Sequence, residues 1–90
     1  MPVAADDLYT LNMALLNVKS LTNLLNGYAR AAERDEHTAA TVAKGWRVRE
    51  SLNQTMIALA AAPCPADRKR ERAGVLNRAE RADDRWMDAV

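Results

Sequence analysis

The chain has 90 residues, with 13 Lys and Arg against 12 Asp and Glu, and a formal net charge of +1. That length allows one domain, and the balance of charge excludes binding to a polyanion through bulk charge alone. At 49% hydrophobic the chain is too apolar for wholesale disorder, but 18 of those residues are Ala and none is Phe, so a thin core is expected that gains little from each residue it buries.

One cysteine, Cys64, excludes an intrachain disulfide, where a small secreted domain would usually carry several. The opening run Met1-Pro2-Val3-Ala4-Ala5-Asp6-Asp7 is acidic and lacks the basic segment of a secretory leader, so the expected compartment is the cytoplasm. Gly and Pro number three each, no segment alternates with period two, and Ala, Leu, Arg, Glu and Met dominate. The expectation is an all-α single domain over residues 1–90. It comprises a helical hairpin and a third C-terminal helix, at about 4–34, 37–62 and 66–89, closed into a helical bundle by dimerisation.

The first helix places Asp6 and Asp7 in its first turn, where acids complement the helix dipole. Leu8, Leu11, Leu15, Val18, Leu25, Ala29 and Ala32 follow alternating steps of three and four, with Thr22 filling the gap, which is a heptad-like seam. Ala14, Leu21 and Tyr28 widen it on one side, while Leu16 and Leu24 lie well off it. From Leu8 to Ala29 the only charge is Lys19. Four Asn in that stretch make it a poor membrane span, so no membrane association is expected. Asn26-Gly27 is a turn signal, but the apolar pattern runs through it, which places the end of the helix between Arg34 and His37.

The second helix carries a stripe of Val42, Gly45, Val48, Leu52, Met56 and Leu59, flanked by Trp46. Pro63 ends it, because a residue before proline is pushed out of the α region, and Pro63-Cys64-Pro65 forms a stiff connector. The third helix opens at Pro65 or Ala66 and carries Val75, Ala79, Ala82, Trp86 and Ala89, with Leu76 and Met87 beside them. Its outer face is nearly all charge, with i,i+3 pairs Asp67–Arg70, Arg68–Glu71, Arg81–Asp84 and Arg85–Asp88. The contrast with the uncharged first helix suggests a central first helix and a peripheral, least stable third.

No chemistry-bearing constellation stands out. Glu33, Glu36 and His37 form the one metal-like cluster, but the chain has a single His and no second acidic pair on an apolar stripe, so a solvated helix end is expected. Cys64 has no neighbour that would activate a thiol. Arg68, Lys69, Arg70 and Arg72 are candidate phosphate contacts for a nucleic acid, though residues 66–90 hold seven bases and six acids. Trp46 with Arg47 is a candidate partner contact, since Trp is enriched at binding hot spots.

With no catalytic set, no cofactor loop and no metal set, the expected function is non-catalytic protein–protein interaction: a small adaptor, regulator or inhibitor. The alternatives are a nucleic-acid-associated regulator using the third helix, and a small all-α enzyme. The protein partner is expected to include a second copy. Leu8, Leu11, Leu15, Val18 and Leu25 form the expected homodimer interface, because the third helix offers few large side chains to cover them.

Overall fold

The computed structural model describes residues 4–34 and 38–90. Among them are three α-helices and no strand: α1 (Ala5–Glu33), α2 (Ala39–Ala61) and α3 (Lys69–Ala89), with a one-turn 3₁₀ helix at Ala66–Arg68 leading into α3. The protein is therefore all-α. It is a rod of 51 × 19 × 14 Å. The 29 residues of α1 span about 43 Å of that length at the helical rise.

Local chemistry explains the helix ends. Gly27 lies within α1, which ends at Glu33 with Arg34 as its C-cap. Thr38 caps α2 by accepting a 3.2 Å bond on Oγ1 from the Thr41 backbone N–H, as expected of a hydroxyl at that position. Ala62, before Pro63, is extended (φ −66°, ψ 140°) and closes α2.

 Arg72 on α3 donates to the Ala62 and Ala60 carbonyls at 3.2 and 3.4 Å, so the last turn of α2 is finished by a side chain from the next helix.

α1 packs against both other helices along its length, while α2 and α3 meet less extensively. Its buried residues are Leu11, Leu15, Val18, Thr22, Leu25, Ala29 and Ala32, the expected seam apart from Leu8, which is half-buried. On α2 the stripe buries Gly45, Leu52 and Leu59, with Val42, Val48 and Met56 packed against the core. On α3 it buries Val75, Ala79, Ala82 and Trp86.

Two expectations are corrected here. The third helix is not peripheral: Trp86 is 1% exposed and heads the largest fully buried side chains. One indole supplies the volume that its alanines lack. Gly45 makes room for it, since a Cβ there would lie 2.6 Å from Cζ2 and Cζ3 of Trp86. As a result, the seam expected to form the homodimer interface is covered within one chain. Leu11, Leu15, Val18 and Leu25 face α2 and α3 and present no surface to a second copy.

The charged face of α3 also pairs differently. Of the four i,i+3 pairs expected within it, Arg68–Glu71 forms, at 2.9 Å. Arg85 instead reaches across to α1 and grips Glu33 with two bonds, 2.7 and 2.9 Å. That fork-on-carboxylate geometry is the strongest an Arg can make.

Candidate docking face

α1 has two apolar faces. At 100° per residue, the buried seam occupies one side of the helix and Tyr9, Met13, Leu16 and Leu24 project from the opposite side. These four are 67%, 39%, 55% and 48% exposed. Ser20, Gly27 and Ala31 complete the same face. Between Tyr9 and Tyr28 the one charged residue of α1 is Lys19, which turns away to Glu71 of α3 at 3.8 Å. The outward face is thus apolar and uncharged for most of the helix, an arrangement that soluble monomers avoid unless something binds there.

Relief on this face is uneven. Its N-terminal half carries the large side chains Tyr9, Met13 and Leu16. Its C-terminal half is small at Gly27 and Ala31, and there lies a depression of about 310 Å³ lined by Leu24, Gly27, Tyr28, Ala31 and Thr41. Nothing lies within 4 Å of a Cβ placed on Gly27, so no contact inside the chain requires a glycine at that position. In the sequence Leu16 and Leu24 stand well off the seam, and Tyr9 and Met13 belong on the same face as they do. The signal was present: Met13 and Leu24 are eleven residues apart, three turns of a helix.

The other candidates have work within the fold. Trp46 is 39% exposed and meets Trp86 edge-on, with ring centroids 5.6 Å apart and planes at 85°. Arg49 lies over the Trp46 ring at 5.7 Å and donates from Nε to Asp83 on α3 at 2.6 Å. Trp46 therefore seals the α2–α3 seam, and Arg47, one position on, is exposed about 100° further round the helix.

In the basic run, Arg68 holds Glu71 and also donates to Asn12 on α1 at 2.9 Å, while Arg72 closes α2. Lys69 and Arg70 are exposed. The hydrogen bond from Arg68 is the main reason the Glu71 carboxyl is held below its ordinary range, and the same bond raises Arg68. The four residues are therefore not a uniform solvated face, and two of them hold elements together.

Glu33 is likewise engaged: the Arg85 bonds lower its pKa, with smaller contributions from the charges of Arg85, Arg34 and Arg30. Glu36 and His37, its partners in the metal-like cluster, lie outside the described residues. Among the described residues no group of three or more His, Cys, Asp or Glu is arranged to hold a metal ion, and no helix is long and apolar enough to cross a membrane. Cys64 is half-buried in the connector, its thiol 3.6 Å from the Pro65 carbonyl.

No family model matches the chain, and no curated protein or solved structure matches it either.

Proposed function

We propose that this protein is a non-catalytic helix-docking module, whose outward α1 face binds an amphipathic helix through Tyr9, Met13, Leu16 and Leu24. The observation that carries this reading is the uncharged apolar ladder on the side of α1 opposite the core. Apolar residues at steps of three and four are the form in which one helix receives another. The large and small ends of the face supply knobs and a hole for such a partner. Nucleic-acid binding through the third helix is less well supported, because Arg68 and Arg72 already bond α1 and α2.

The test is a photo-crosslinking residue in place of Leu16, activated in cells that make the protein. A discrete polypeptide adduct is expected, lost when Leu24→Glu is added and absent when the crosslinker replaces Gln54 on α2. Adducts of equal yield from positions 16 and 54, or none from 16, would overturn the reading. The identity of the captured chain is a separate result.

A further inference from the structure

We infer that the helix received on this face is α1 of a second copy, lying antiparallel across a two-fold axis at Ser20. This rests on the docking reading above and specifies its partner. The face consists of positions 9, 13, 16, 20, 24, 27 and 31, whose steps are four, three, four, four, three and four. That order reads the same in both directions, with Ser20 at its centre. A two-fold axis requires such self-complementarity, since residue i must meet residue j and j must meet i.

The side chains then match layer by layer. Tyr9 meets Ala31, Met13 meets Gly27, Leu16 meets Leu24, and Ser20 meets its own copy. Tyr9 and Met13 each face a small residue and enter the depression beside Gly27, Tyr28 and Ala31, while Leu16 and Leu24 pack on each other on either side of the axis. The glycine that the single chain does not require is explained by the knob it receives. A parallel pairing would instead stack Tyr9 on Tyr9 and Gly27 on Gly27, crowding one end and leaving a void at the other.

Charge favours the same direction. Asp6 and Asp7 at the start of α1 come beside the end that carries Arg30 and Arg34, whereas a parallel pair would set the acids together. The face repeats every eleven residues, as 9 to 20, 13 to 24, 16 to 27 and 20 to 31. At about 3.67 residues per turn, that repeat stays on one side of a nearly straight helix, so the two copies pair without strong supercoiling.

The footprint sets the strength. The face from Tyr9 to Ala31, about 33 Å long and about 10 Å wide, covers roughly 330 Å² per copy, below the roughly 800 Å² of a standard stable interface. Association is therefore expected to depend on concentration. Sedimentation equilibrium of the whole chain should show a mass rising from 10.0 kDa toward twice that value over the micromolar to millimolar range. Leu16→Glu should remain monomeric at all these concentrations. Gly27→Leu should weaken association at least tenfold while keeping the helical circular dichroism of the wild type, because Gly27 has open space around it in the single chain.

Orientation is read by disulfide trapping in a Cys64→Ser background. Ser20→Cys should form a dimer rapidly on mild oxidation, and Tyr9→Cys should not. A wild-type mass of 10.0 kDa at millimolar concentration would overturn the second copy as partner, while an adduct with another polypeptide in the crosslinking experiment would still support the docking module. Rapid self-crosslinking at position 9, or unchanged association in Gly27→Leu, would overturn the antiparallel register.

Discussion

Gly45 packs directly against the Trp86 indole and leaves no room for a side chain. Alanine normally favours a helix over glycine by about 1 kcal/mol, so replacing a helical glycine should stabilise the chain wherever there is room. Gly27 and Gly74 have that room, with nothing within 4 Å of an added Cβ. Gly45 does not, and the atoms in the way belong to a buried ring that has no flexible end to move aside. Gly45→Ala is therefore expected to lower stability by about 1–3 kcal/mol, the usual cost of overpacking, while Gly74→Ala raises it by about 0.5–1 kcal/mol. Urea denaturation of the two variants checks the opposite signs. Two buried polar atoms, Thr22 Oγ1 and Trp86 Nε1, have no hydrogen-bond partner among the described residues, so this core is held by shape and apolar area rather than by a polar network.

At the scale of the helices, polar side chains tie one element to another. Arg85 binds Glu33, Arg68 binds Asn12, Arg72 closes α2, and Arg49 joins α2 to Asp83. Lowered carboxyl pKa values make the first of these links pH-dependent. Glu33 has a lower pKa folded than unfolded, chiefly through its bond to Arg85. It therefore contributes stability that is fully present above the unfolded-state pKa and is lost as pH falls through the folded one. Glu71 behaves in the same way through Arg68 and Lys19. Glu33→Gln should lower the neutral and alkaline part of a plot of stability against pH and leave its most acidic part unchanged, so that the acid limb flattens. Both carboxylates are open to solvent, so the difference should shrink in high salt. An unchanged acid limb at low salt would show that the Arg85 link contributes nothing to folding.

For the molecule as a whole, the consequence of burying Trp86 is cooperativity. A chain cut after Ala62 would retain α1 and α2 but lose Val75, Ala79, Ala82 and Trp86, leaving much of the α1 seam in water. A two-helix remnant of this size buries too little apolar area to offset its conformational entropy. The truncated chain should lose most of its helical circular dichroism and its cooperative thermal transition. A helical hairpin that still melted cooperatively would return α3 to a peripheral role.

Much of this was legible in the sequence because helical periodicity is a local property. The steps of three and four in α1 name its buried seam apart from Leu8, Val75 to Trp86 name that of α3, and Pro63 marks the end of α2. The docking face was half legible: Leu16 and Leu24 stand out as off the seam, but Tyr9 and Met13 gain meaning once the opposite side of α1 is known to be covered. Tertiary structure decided which of the two apolar faces lies inside, that α3 carries core volume, and that Arg85 and Arg72 reach α1 and α2. The physical reason is that a periodic stripe shows that a face is apolar without showing what covers it. Covering depends on residues far apart in the chain, here an indole at position 86 meeting a glycine at position 45.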